Sequence, residues 1–413
     1  MSLPGLHTLP LTSMIAIVTR HVPRLTRLIV AAIVATILVT IDQADAQEAP
    51  AAVSVSFGID TTITDVGDVV RLLRAYLAKP DSSAQSRGLW TTATDFDRRV
   101  GDLTSEAYQG FPATIVSVAS DGPGDSVYVV RVLYASADST RQRISPLALQ
   151  RLYAVREPGA PFRFRLSGAL PRLTREWEQR TSGRVTFWYA PGQHPNPAKI
   201  SHASSFVDSV ATLFQIPPPN HLDMYLGRSL EEVQRARGLD FFPAASADRG
   251  QGGGAISTGI VLVGNPALGE EYLHELAHAV LTPTVPTRNG LFNEGVATWL
   301  GGSRGRTPRE VYARLRQIQA ARPALTLGQV LNRDIPDADA EEMTDAFYAT
   351  GAVVVDAVYR HASIAGLRAL AQLSNDPNVL LSALPAQLGL PGSDQRALNR
   401  WWRTQTARIW SDR

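Results

Sequence analysis

The sequence predicts an α+β protein of two domains. The first is an α+β domain with a curved antiparallel sheet, and the second is α/β at its start and helical thereafter. Three observations lead there. Residues 113–170 hold four runs rich in β-branched and aromatic residues, broken by turns such as "DGPGD" and "EPGAP". Residues 183–264 alternate strand-like and helix-like runs, and from residue 271 onward the apolar residues recur at helical spacing. At 413 residues the chain also exceeds what one small core organises, while 44% hydrophobic and 19% charged residues are ordinary globular composition.

The N-terminus reads as a leader. Arg20, Arg24 and Arg27 precede "LIVAAIVATILVTI" (Leu28–Ile41), and Ala44 and Ala46 have the spacing of a small-x-small cleavage signal. The apolar run falls short of the roughly 20 residues of a spanning helix. A secretory signal over residues 1–46, cleaved after Ala46, is therefore expected, with an uncleaved anchor as the alternative. A start at Met14 would shorten the leader. On this reading the mature protein is exported, to the periplasm or the extracellular space.

Residues 47–175 form the expected accessory domain. "VGDVVRLLRAYLA" (Val66–Ala78) sets Val69, Val70, Leu73 and Leu77 on one helical face. "ATIVSVAS" with "DSVYVVRVLYAS", and "LALQRLYAVRE" with "FRFRLSGAL", read as two antiparallel hairpins. Helix plus long paired strands resembles the cystatin-like, NTF2-type cone shape, without a motif to carry it. No cluster of titratable residues stands out here. Recognition and a role as an inhibitory or folding pro-segment both stay open for this part.

Residues 176–413 form the second domain. "RVTFWYAP" is a strand, "ISHASSFVDSVATLFQI" a helix stopped by Pro217–Pro219, and "HLDMYLG" a strand. "SLEEVQRARG" is a short helix with Ser229 as N-cap, and "GAISTGIVLVG" reads as one further strand. Then come "EYLHELAHAV", "NEGVATWLGG", "PREVYARLRQIQAA", "DAFYATGAVVVDAVYRHA", "IAGLRALAQL" and "DQRALNRWWRTQTARIW", all helical.

Composition narrows the chemistry. A formal net charge of +2 gives no electrostatic footprint for nucleic acid. The absence of cysteine excludes disulfides, thiolate metal sites and cysteine nucleophiles, so a metal must be held by histidine and carboxylate. Two of the eight histidines, His274 and His278, are spaced i, i+4 in "EYLHELAHAV", which puts both imidazoles on one helix face. Glu275 lies one step round, placed to take a proton from a water activated by an ion there. "LTPTVPTRNG" then breaks the helix at Pro283 and Pro286. The next helix carries Glu294, 16 residues past His278, and a turn back would make it the third ligand. Two histidines and a glutamate with one open position suit catalytic zinc.

At "HELAH" and "NEGVATWL" the sequence resembles the gluzincin metallopeptidases of the MA clan, particularly the bacterial exported peptidase MA-like proteins. The likeness covers about residues 183–413. It implies a zincin-type domain, one zinc ion per chain on His274, His278 and Glu294, and Glu275 as general base. It also implies a polypeptide substrate paired along the strand before the zinc helix, Ala255–Val263, with Ala255, Ile256 and Ser257 at its start. Gly252, Gly253 and Gly254 upstream would serve close backbone approach or a plain loop. Tyr348, in "FYATGA", matches the downstream tyrosine that stabilises an oxyanion, with His361 as the other candidate. One departure stands out: the position four after the glutamate ligand, often acidic in such proteins, is Thr298. A hydroxyl there orients an imidazole less strongly, and Glu270 or Glu271 could orient it instead. The activity implied is exported zinc-dependent peptide hydrolysis. The alternative is a weak or inactive binding protein on the same scaffold.

Overall fold

Strand alternation in the first half of the chain and helical spacing in the second produce two sheets and a helical layer. The computed structural model describes residues 53–408 apart from 79–86, 93–110, 123, 125, 138–143, 243–252, 258 and 393. The expected leader, residues 1–46, lies outside them. No described helix is long and apolar enough to cross a membrane.

The first sheet contains β1 (Ser54–Val55), β2 (Ala113–Ser120), β3 (Val127–Ala137), β4 (Ile144–Arg156) and β5 (Phe164–Ser167) in that order, with α1 (Thr64–Leu77) between β1 and β2 in the chain. The expected hairpins are β2–β3 and β4–β5, and β3 also pairs with β4 along its length. Helix α1 buries Val69, Val70 and Leu73 as its spacing predicts, together with Leu72 and Tyr76, against Ile115, Val130, Leu152 and Phe164.

After a short turn of helix, α2 (Leu170–Leu173), come β6 (Glu178–Ser182), β7 (Val185–Tyr189), α3 (Pro197–Phe214), β8 (Leu222–Leu226), α4 (Leu230–Ala236) and β9 (Leu239–Phe241). Ser229 caps α4 as expected, accepting from the Glu232 N–H at 3.1 Å. Strand β9 was not expected. It leaves the second block and pairs with β4 through Leu149↔Phe241 and Gln150↔Leu239. Asp240 there takes ion pairs from Arg131, at 2.9 Å, and from Arg151. The first sheet is thus completed from beyond the boundary expected at residue 175.

The second sheet has the order β10–β11–β8–β7–β6, with β10 (Gly253–Ser257) and β11 (Ile260–Val263). Strands β7, β8 and β11 are parallel, while β6 and β10 are antiparallel edges. Here the structure corrects the single strand expected over "GAISTGIVLVG". The chain doubles back at Gly259, whose φ of +87° is a conformation glycine adopts without strain, and the run becomes a hairpin. Ile260–Val263 is interior to the sheet, and the edge is Gly253–Ser257.

The helical layer comprises α5 (Leu273–Leu281), α6 (Gly290–Gly301), α7 (Pro308–Ala321), α8 (Leu327–Leu331), α9 (Ala340–Ala371), α10 (Pro377–Gln387) and α11 (Gln395–Arg408). Helix α9 joins the two helical runs expected there across a break at Ser363 (φ +55°). One face of the second sheet (Phe187, Met224, Val261) and these helices share the largest core, which includes Phe214, Leu276, Phe292, Val354 and Trp402. On the other face, Tyr225 and Leu262 pack with Trp177 and Val233.

Helices α6 and α9 meet backbone to backbone at Gly295 and Gly351. A Cβ on Gly295 would lie 2.5 Å from the Gly351 carbonyl carbon. Gly295→Ala must therefore push the helices apart, and about 2 kcal/mol or more of stability is expected to be lost. The midpoint of urea unfolding measures this, and an unchanged midpoint would show that the two helices separate freely.

Candidate metal centre

Local sequence explains how two helices come to face each other here. Helix α5 ends at Leu281, just before the prolines at 283 and 286. Asn289 then starts α6 by accepting from the Phe292 N–H at 2.7 Å. Its amide also donates to the Leu370 carbonyl at 2.8 Å and the Leu373 carbonyl at 3.2 Å, which ties the start of α6 to the end of α9. Helix α6 runs back along α5, so that Glu294 reaches both histidines while Gly302, just past its end, reaches His274.

The ligand atoms of His274, His278 and Glu294 all lie within 4.8 Å of one another. His274 Nε2 is 3.3 Å and His278 Nε2 3.5 Å from Glu294 Oε2, and the two Nε2 atoms are 3.2 Å apart. His274 Nδ1 lies 2.8 Å from the Gly302 carbonyl oxygen. A carbonyl only accepts, so Nδ1 carries the proton and Nε2 is turned toward Glu294. Asn293 Nδ2 donates to Glu294 Oε1 at 3.0 Å, which leaves Oε2 for the imidazoles. Both histidines are buried, and Glu294 is partly so.

Glu275 is half-buried beside this group and accepts a hydrogen bond from Tyr272. Tyr348, on α9, stacks on His274 with ring centroids 5.6 Å apart and planes parallel to within 1°. Burial would raise the Glu294 carboxyl, but the bonds from His274 and His278 outweigh it and hold the group well below the usual carboxylate range. Burial likewise opposes the charged form of His274, yet Glu294 and the charge of Glu275 push its pKa up. The Tyr348 hydroxyl is pushed up by burial first and then by Glu294, and the Tyr272 hydroxyl by burial and then by Glu275. Both phenols keep their protons.

Of the residues singled out from sequence, the structure brings together His274, Glu275, His278, Glu294 and Tyr348. Ala255, Ile256 and Ser257 lie on the edge strand β10, with Ala255 opposite Val261. Gly253 and Gly254 belong to that strand too, while Gly252 lies outside the described residues. His361 lies against Gly389 and enters none of these contacts.

The orienting bond expected of Thr298 is made to His274 by the Gly302 carbonyl instead. The Thr298 hydroxyl is buried and has no hydrogen-bond partner among the described residues. The two glutamates considered as substitutes are engaged elsewhere. Glu270 accepts from the Tyr189 hydroxyl at 2.9 Å and the Asn196 N–H at 2.8 Å, and Glu271 pairs with His202 at 2.7 Å. Sequence reasoning passed over Asn293, Tyr272 and Gly302. The signal for the last was the "GG" at the end of "NEGVATWLGG". A Cβ on Gly301 would meet the His274 backbone nitrogen at 2.5 Å, and one on Gly302 (φ +76°) would meet the Arg306 carbonyl oxygen at 1.9 Å.

No protein-family model matches this sequence, and no curated protein matches it. Among solved structures it is similar to M1 zinc metallopeptidases. The Deinococcus radiodurans enzyme matches at 14% identity with a TM-score of 0.31, and a variant of it bound to a Tyr-Ser-Ala substrate at 15% and 0.33. A two-domain M1 variant bound to L-tryptophan also matches at 15% and 0.33. In each case 73% of this chain and 63% of the other are covered, so the chain spans less than two thirds of those structures.

Replacing Gly302 by alanine must move the carbonyl that holds His274. Affinity for zinc, measured by competition with a chelator, is expected to fall roughly 10- to 100-fold. Affinity equal to that of the unmodified protein would show that the Gly302 bond does not orient the imidazole.

Proposed function

We propose that this chain is an exported zinc-dependent peptidase. His274, His278 and Glu294 are its metal ligands, Glu275 its general base and Tyr348 its oxyanion donor. The observation that carries this reading is the convergence of three donor atoms from two helices within 4.8 Å, with a fourth group, Glu275, beside them on the same helix turn. Two imidazoles and one carboxylate, with no thiolate, suit zinc and leave a position for water or substrate. The fit extends to the tautomer, since the proton on His274 Nδ1 leaves Nε2 free to ligate.

Zinc bound there supplies a Lewis acid that polarises the substrate carbonyl and lowers the pKa of water. The chain's own groups do the rest. Glu275 takes the proton of the attacking water and returns it to the leaving amine. Tyr348 holds its phenolic proton and donates a hydrogen bond to the carbonyl oxygen as negative charge grows on it. The edge strand β10, with Ala255, Ile256 and Ser257, is where an extended polypeptide would pair as an added strand. Export follows from the leader expected over residues 1–46.

Purified protein is expected to hold about one zinc per chain and to hydrolyse unfolded casein in a chelator-sensitive way. Glu275→Gln should lower kcat by roughly 10²- to 10⁴-fold without loss of zinc, and unchanged hydrolysis would overturn the assignment of the base. Tyr348→Phe should lower kcat by about 10²-fold, with a smaller effect on KM. Single-substrate kinetics separates the two, and an effect confined to KM would remove Tyr348 from the oxyanion role.

A further inference from the structure

Helix α8 ends in a left-handed turn whose central residue is an arginine. The Arg333 N–H bonds the Val330 carbonyl at 3.1 Å and the Asp334 N–H bonds the Gln329 carbonyl at 2.9 Å, the pattern of a helix cap turned by a residue at positive φ. Arg333 has a φ of +52°. That conformation costs a residue bearing a Cβ about 1–2 kcal/mol, and glycine is the usual occupant.

Among the described residues two other arginines stand at positive φ, and both have acidic partners. Arg163 pairs with Asp65 and Asp68, and Arg304 faces Asp345 at 3.6 Å. Arg333 has no such partner: among the described residues its guanidinium makes neither hydrogen bond nor ion pair. It lies instead 4.4 Å over the ring of Phe347. Phe347 is buried, and its ring is 6.4 Å from that of Tyr348, which in turn stacks on His274. A cation is therefore held, on a stiff aromatic support, beside the proposed oxyanion donor.

We propose that Arg333 is the substrate-anchoring residue of this site, binding a carboxylate on the peptide at the Tyr348 flank of the scissile bond. The cleavage part rests on the peptidase reading above, and the binding part does not. Guanidinium suits the task because its planar fork grips both carboxylate oxygens, and the contact with Phe347 occupies none of its N–H groups. The carboxylate has two sources, the C-terminus of a short peptide or an acidic side chain.

The test uses the full chain loaded with zinc, carrying Glu275→Gln so that binding is read without turnover. The probes are Ala-Phe-Ala as the free acid, the same peptide as its C-terminal amide, and Ala-Phe-Glu amide, each titrated by calorimetry at low salt. One of the two carboxylate peptides is expected to bind roughly 5- to 30-fold more tightly than the uncharged amide, and its identity tells C-terminus from side chain. The preference should shrink with added salt, because Arg333 is exposed. In Arg333→Met it should fall to near one. Arg333→Gly should lose the preference as well while being no less stable than the parent, since it relieves the left-handed backbone. A purely structural arginine would show the reverse, with stability lost and no change in preference. Equal binding of all three peptides, binding of none, or a preference that survives both substitutions overturns the proposal. The peptidase reading fails separately, if zinc-loaded protein with Glu275 intact leaves casein uncut.

Discussion

The centre depends on how closely the end of α6 lies to the first turn of α5. Side chains ordinarily hold helix axes about 8–10 Å apart, and the glycines that end α6 let its backbone come directly against that of α5. Gly301 removes the Cβ that would strike the His274 backbone nitrogen, and Gly302 turns its carbonyl onto Nδ1. On its opposite side α6 touches α9 through Gly295 and Gly351. The helix that carries Glu294 is thus gripped at two backbone contacts, one at the very next residue, Gly295, and one at its C-terminal end, Gly301 and Gly302. Backbone contacts between helices have little freedom to relax, so the fold sets where the Glu294 backbone stands, and the Asn293 bond to Oε1 helps to hold its carboxylate.

Electrostatics follows from that geometry. A buried carboxylate or imidazolium is costly alone, and the two are brought together where each lowers the cost of the other. Glu294 is held ionised and His274 is held toward its protonated form. A ligating imidazole must be neutral, so a divalent ion and a proton would compete at this place. Asn293 on Oε1 and Gly302 on Nδ1 decide which atoms compete, Oε2 and Nε2. The flanking phenols add no charge of their own, because burial and the neighbouring carboxylates keep them protonated.

Much of the arrangement was legible in the sequence because it follows from periodicity. The i, i+4 histidines, the proline break and Glu294 on the returning helix need only the 3.6-residue repeat and a turn. Both hairpins of the first sheet needed only alternation. What escaped notice depends on backbone or on distant partners. The run 254–264 is apolar without interruption apart from "STG", so nothing in its period separates one strand from a hairpin. Strand β9 is three residues long and finds its partner in another block, where Asp240 meets Arg131 and Arg151 across about 90–110 positions of sequence. The Gly302 carbonyl is silent for a different reason, since every residue but its conformation offers the same oxygen. Glu270 and Glu271 looked available from their proximity in sequence to His274, yet the 3₁₀ turn over Gly269–Glu271 points them at β7 and α3.

Thr298 takes a different meaning from this structure. Its hydroxyl is fully buried without a hydrogen-bond partner among the described residues, an arrangement that costs about 1–3 kcal/mol. A carboxylate at the same place would have to be desolvated as well, and His274 Nδ1 already has its acceptor in Gly302. Two neutral imidazoles and Glu294 carry a single negative charge, so a divalent ion among them keeps a net charge of about +1. An acidic residue at 298 would cancel that remainder, binding the ion more tightly and making it a weaker Lewis acid. A neutral carbonyl as the orienting acceptor works in the opposite direction. It fixes the imidazole without adding charge, and an ion held there would keep more of its power to polarise a carbonyl. On these terms a threonine at 298 would trade affinity for electrophilicity in a centre of the proposed kind, and the departure at this position is compatible with a working one.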